Sequence, residues 1–224
     1  LLEGTSQNGA IKLDRADPPT FTFSGTTNVG TSNNASQAVT LINIGNQTLT
    51  FSYVSYPTNF PRYSGDANLC SITNPVSVSA GCDVAATFYP TSGGTNSGNI
   101  VLGDNAGSGE QSVPVTGTGD DVATQLVIAN LPPTLSSCGN AGTITVSEED
   151  PLGHAVASLS NTVTLSASGP GNYAQTYTAT ASAGVATFNL SAAALNTAGG
   201  YVYTADGDGL PSATDVETVT TDSV

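Results

Sequence analysis

Any chemistry in this chain would have to come from three cysteines, one histidine and a set of carboxylates. Cys70 and Cys82 lie close in sequence and bracket Val76-Ser77-Val78, which reads as a short strand. A disulfide between them would close a small loop, contributing roughly 3 kcal/mol in the chain-entropy picture. Cys138, in Ser136-Ser137-Cys138-Gly139, is left over: it is either buried and inert or pairs with another chain. Metal binding by cysteine lacks the CxxC spacing that a zinc site uses, and zinc peptidase motifs need a second histidine. The single histidine, His154, sits in Pro151-Leu152-Gly153-His154-Ala155, a turn leading into a strand and therefore solvent-exposed. A Ser–His–Asp relay would need an activated serine beside it, and no GxSxG elbow occurs. The only lysine, Lys12, lacks the glycine-rich context of a phosphate loop.

The carboxylates leave one question open. Asp206-Gly207-Asp208-Gly209 resembles the start of a calcium loop, with Glu217 at the twelfth position. Positions five and six are Leu210 and Pro211, where an EF-hand needs an oxygen ligand and a glycine, so this is not an EF-hand. A looser Ca²⁺ site remains an alternative, with Asp206, Asp208, Asp120, Asp121, Glu148, Glu149 and Asp150 as its candidate ligands. The competing reading is a solvated acidic rim that keeps a polar surface soluble. A glycosidase carboxylate pair would want a groove with aromatic platforms, which a chain without Trp does not suggest. No catalytic residues are expected, and no cofactor apart from that Ca²⁺ alternative.

The elements that must position these groups read as strands. The 224 residues include 57 Ser and Thr, 25 Gly and 12 Pro. The apolar residues are mostly Val, Ile, Leu, Tyr and Phe set among Thr, as on half-buried pleated surfaces. Apolar residues alternate at Val39–Asn43, Val84–Phe88, Thr143–Ser147, Thr162–Leu165 and Tyr201–Tyr203. Turn-forming clusters separate these runs every 8–12 residues or so, the pattern of a sandwich or barrel. Ser191–Asn196 is the one helical candidate and is long enough only for a turn. No apolar run is long enough to span a membrane.

Charge excludes further classes. Three Lys and Arg stand against 17 Asp and Glu, a net charge of −14. Such a chain cannot neutralise a row of phosphates, so nucleic acid is not a partner. It also has no means of docking on anionic lipid. Residues 1–119 carry 7 acids and 3 bases (−4), and residues 120–224 carry 10 acids and no Lys or Arg (−10).

The boundary is expected at Gly117-Thr118-Gly119-Asp120-Asp121, read as a linker. This divides the chain into a tail over 1–19, a first domain over 20–119 and a second over 120–224. The tail has too few apolar residues for its own core. It either runs along its own domain or adds a strand to a neighbouring chain. No leader peptide is recognisable and the chain begins with Leu1, so it is expected to be a segment of a longer, exported polypeptide.

Three stretches carry a resemblance. The first is Val29-Gly30-Thr31 with Gln37 to Leu41 and Asn43 to Phe51. The second is Gly81-Cys82-Asp83 through Pro90 with Ser97 to Ile100, and the third is Val113 to Gly119. Together they resemble the choice-of-anchor D repeats of bacterial surface proteins, relatives of the abnormal-spindle and Hydin Ig-like domains. That resemblance covers about residues 20–119 and implies that Cys70 and Cys82 are paired. Ala123 to Ile128, Ile144 to Asp150, Asn161 to Leu165 and Gly199 to Ala205 make residues 122–222 similar to bacterial Ig-like domains of the invasin and adhesin kind. Residues 9–19 resemble the joint that follows an NHL-type β-propeller.

The resemblances imply an all-β chain of two tandem immunoglobulin-like β-sandwiches. The expected function is a non-enzymatic, extracellular or cell-surface structural protein of bacterial type: an adhesin module, stalk or filament subunit. Its partner would be protein, through self-association into a homopolymer by the tail or through other domains of the same parent chain. The alternative is an accessory module of a larger secreted enzyme or propeller protein. Sequons at Asn34, Asn46 and Asn189 imply exposure only.

Overall fold

The computed structural model describes residues 11–13, 20–107 and 109–221, of which 11–13 and Asn34 are described by backbone alone. Of the tail expected over 1–19, residues 1–10 and 14–19 lie outside this description. The architecture is all-β, as expected, in two compact units, Leu1–Asp121 and Val122–Val224.

The first unit contains β1 (Ile11–Leu13), β2 (Phe21–Asn28), β3 (Asn33–Asn43), β4 (Phe51–Ser55), β5 (Gly81–Phe88), β6 (Gly94–Asp104) and β7 (Glu110–Asp120). They form two sheets, ordered β1-β3-β5 and β2-β7-β6-β4. The inward residues of the sheets, among them Val39, Leu41, Val84, Ile100, Leu102 and Val113, make one core. At its centre Phe60 and Phe88 stack at 5.0 Å and Phe23 joins them at 5.8 and 5.7 Å. β2 and β7 run parallel, with a bulge between Thr22 and Thr26. Gly25 in that bulge has φ +78, a left-handed conformation that glycine adopts without strain.

β1 pairs antiparallel with the end of β3, Ile11 opposite Asn43 and Leu13 opposite Leu41. The described part of the tail therefore runs along its own unit. Gly117 and Gly119, read from sequence as linker, are instead residues of β7, paired with β6 and, for Gly119, with β2. A Cβ at Gly117 would stand 2.8 Å from the Phe88 ring, so the glycine exists to let the ring lie flat against the strand. The segment without regular structure is Asp121 to Thr124, and the units divide between Asp121 and Val122.

The second unit contains β8 (Gln125–Ala129), β9 (Thr134–Ser136), β10 (Thr143–Glu149), β11 (Thr162–Gly169), β12 (Tyr173–Thr180), β13 (Val185–Asn189), β14 (Gly199–Asp206) and β15 (Ala213–Thr220). Its sheets are ordered β13-β10-β8 and β12-β11-β14-β15-β9. Ile144, Val146, Val163, Leu165, Phe188 and Tyr203 are among the residues that fill the space between them. The five-stranded sheet is two strands wider than its partner, and β12 is its edge. Val76 forms only an isolated bridge to Leu49, so the short strand expected between the two cysteines is absent. Ser191–Asn196 is a turn segment.

Candidate functional site

Cys70 and Cys82 are joined in a disulfide and almost fully buried. The bond ties the long connection between β4 and β5 to the start of β5. Cys138 is exposed, which overturns the buried alternative read from sequence. The reason is local: Gly139 N donates to Ser136 O at 2.9 Å, and this tight turn holds Cys138 at φ +68, facing out.

The carboxylates do not gather into one site. Among the described residues no three of His, Cys, Asp and Glu converge as metal ligands. Asp120 and Asp121 are exposed in the first unit. Asp206 accepts the Ser212 hydroxyl. Glu149 accepts the Ser147 hydroxyl at 2.5 Å and the Gln125 amide at 3.4 Å.

The solvated-rim reading fails for Glu148 and Asp150, which are 0% and 2% exposed. β10 alternates Ile144, Val146 and Glu148 inward, and the same period carries on to Asp150 just past its end. Asp150 Oδ1 accepts the Leu152 amide at 2.8 Å and the His154 amide at 3.0 Å, while His154 Nδ1 lies 3.3 Å from Asp150 Oδ2. Burial raises the Asp150 carboxyl pKa, but the two amides and the neighbouring imidazole outweigh it and hold the carboxyl below its ordinary value. His154 is exposed and serves this turn.

Glu148 meets Asp208. The Asn161 side-chain amide donates to Glu148 Oε1 at 3.0 Å and to Asp208 Oδ2 at 2.9 Å, bridging the two carboxylates. Glu148 Oε2 is buried and has no hydrogen-bond partner. Gly207 packs on Thr162 and Val163, which brings the β14–β15 turn beside Asn161. Sequence reasoning placed both acids among its candidates but missed Asn161; only the turn contact joins them.

Two surface recesses lie among the described residues. One, of about 330 Å³, lies beside the disulfide in the first unit and includes Arg62, Tyr53, Tyr56 and Ile72. The other, of about 440 Å³, lies where the overhanging edge strand β12 meets the segment after β13, and is lined by Tyr173, Gln175, Tyr177, Asn189 and Ala192–Ala194. Tyr173 and Tyr177 hydroxyls stand 3.3 Å apart, and Tyr173 packs edge-on against Tyr201 at 5.2 Å. Burial, the Tyr177 hydroxyl and nearby Glu217 push the Tyr173 phenol pKa up. Residues four apart in a strand share a face, so β12 places Tyr173 and Tyr177 side by side, a pairing no motif in the sequence marks.

No known family profile matches the chain, and no curated protein matches it. Among solved structures it is similar to a glycosyl hydrolase family 2 member from Bacteroides cellulosilyticus at a TM-score of 0.40 and 12% identity, over 96% of this chain and 29% of that one. A beta-glucuronidase from Parabacteroides merdae gives a TM-score of 0.33 and 13% identity over 95% and 24% of the two chains. A beta-glycosidase from Bacteroides vulgatus gives 0.36 and 13% over 96% and 25%. The chain thus spans under a third of the length of each of these proteins. Neither its fold nor its function follows from likenesses at that level.

Proposed function

We propose that this chain is a non-enzymatic module of a larger exported protein, made of two immunoglobulin-like sandwiches that space or assemble other parts. The observation that carries the reading is the β1–β3 ladder. A three-residue strand from the N-terminal segment adds to the edge of an eleven-residue strand, and among the described residues it pairs with only the last three positions of that edge. An edge that accepts a short strand from its own chain also accepts the same strand from a second copy, because the ladder is made of backbone groups alone. The Cys70–Cys82 disulfide supports an oxidising compartment outside the cytosol.

Light scattering after size exclusion, over a range of protein concentrations, tests the assembly version. Concentration-dependent dimers or polymers that disappear on deleting residues 1–17 are expected. A monomer at every concentration overturns it.

A second reading, an accessory module of a secreted enzyme, is favoured by the β12 recess. Its tyrosine rings and side-chain amides carry no charge, the chemistry that stacks on and hydrogen-bonds to neutral sugar rings. Titration with xylohexaose and cellohexaose, followed by shifts at Tyr173 and Tyr177, tests it. No perturbation of either residue removes the reading.

A further inference from the structure

We propose that Glu148, Asp208 and Asn161 form a binding site for a hard divalent cation, Ca²⁺, in the second unit. The argument starts from charge. Residues 122–224 contain no Lys or Arg, and the one imidazole, His154, is engaged with Asp150. Glu148 is nevertheless fully buried, and one of its oxygens has no partner. A buried, uncompensated carboxylate is costly, and the fold offers it only a neutral amide. A divalent cation held between Glu148 and Asp208 would supply the compensation that the side chains around Glu148 do not.

Geometry indicates where it sits. Asn161 Nδ2 lies 3.0 Å from Glu148 Oε1 and 2.9 Å from Asp208 Oδ2, on the path between two carboxylates of opposite character, one buried and one exposed. The two oxygens are therefore at most about 5.9 Å apart by these distances. Two oxygens across a Ca²⁺ ion stand up to about 5 Å apart, so a closure of about 1 Å converts the bridge into a chelate. Glu148 Oε2 shares a carbon with Oε1 and has no partner of its own, so a rotation of the carboxylate lets both oxygens bind one ion. Turning the Asn161 amide over presents Oδ1 in place of the NH₂, adding a neutral oxygen. Asp208 lies on an exposed turn at φ +49, so water fills the outer positions and the ion has an entry path. All ligands are oxygens, as Ca²⁺ prefers, and there is no sulfur or nitrogen donor to favour zinc.

The test uses the full chain, with calorimetric melting and titration in chelator and in CaCl₂. Saturating Ca²⁺ is expected to raise Tm by about 10 °C, through selective binding to the folded state. Glu148→Gln keeps the shape and the Asn161 contact but removes the charge; it should abolish the shift and melt above the wild type in chelator. Asp208→Asn, on an exposed turn that leaves the core intact, should weaken Ca²⁺ binding at least tenfold. Asp206→Asn, whose carboxylate is occupied by Ser212, should leave it unchanged. A Tm equal in chelator and 5 mM CaCl₂, a Ca²⁺ shift that survives in Glu148→Gln, or a Ca²⁺ affinity undiminished in Asp208→Asn overturns the proposal.

Discussion

The Tyr203 hydroxyl donates to Glu217 Oε2 at 3.1 Å inside the second core, while Glu217 Oε1 is buried without a partner. Burial raises the Glu217 carboxyl pKa, and the Tyr203 bond offsets this only in part. A raised folded-state value means that the protonated acid is preferred on folding. Its destabilising effect is absent below the ordinary carboxylate range and grows as pH rises from there through the folded value. Glu217→Gln is therefore expected to melt about 2–5 °C above the wild type at pH 7 and level with it near pH 4. Melting curves across pH 4–8 check this, and a constant difference at all pH values contradicts it.

The disulfide secures a connection of 25 residues, 56–80, that contains no strand of its own. Its isolated bridges and the Phe60 and Leu69 anchors are few for that length. Replacing both Cys70 and Cys82 by Ala should cost roughly 3 kcal/mol, from the freed unfolded chain and the lost buried sulfurs. That is a drop of about 10–20 °C in the first unit's melting temperature. Calorimetry of the variant, and of wild type with a strong reductant, should agree; an unchanged midpoint would contradict the structural role.

Gly117→Ala sets a methyl group 2.8–2.9 Å from three carbons of the Phe88 ring. Phe88 is 0% exposed and stacked on Phe60, so it has nowhere to retreat. The overpacking should cost roughly 1–3 kcal/mol, read as a lower urea midpoint at unchanged slope. A midpoint equal to wild type would show that β7 and the Phe88 layer slide apart freely.

Period-two alternation made the strands legible, because a half-buried sheet writes its inward face directly into the sequence: Val39 and Leu41, Val84 and Phe88, Tyr201 and Tyr203 are buried as the pattern reads. The same rule, followed past the last apolar residue, would have buried Glu148 behind Ile144 and Val146, and Glu217 beside Val219. The solvated-rim reading rests on residue type and places Glu148 at the surface, whereas its position in the strand buries it. Gly117 and Gly119 resembled a linker because glycine marks turns and close packing alike, and only the Phe88 ring tells them apart. The Glu148–Asn161–Asp208 bridge was not legible at all, since it joins three separate loops and strand ends whose proximity depends on how β10, β11 and β14 stack.

Asp150 and His154 close the turn after β10, and their linkage runs opposite in sign to that of Glu217. The Asp150 folded-state pKa lies below its ordinary value of 3.8. Its contribution is thus complete above that value and is lost as pH falls through the folded one. Asp150→Asn keeps an oxygen for the Leu152 and His154 amides but loses the charge-assisted strength of both bonds and the attraction to the imidazole. At pH 7 the variant should be less stable by about 1–2 kcal/mol. The gap should narrow as pH falls below the ordinary value and through the folded one, as the wild-type carboxyl itself becomes neutral. His154→Ala, which removes an exposed ring but leaves both backbone amides in place, should reproduce only a small part of the loss. Tm measured from pH 2 to 7 for the three proteins decides between them: a His154→Ala deficit as large as that of Asp150→Asn would move the stabilisation from the amides to the imidazole contact.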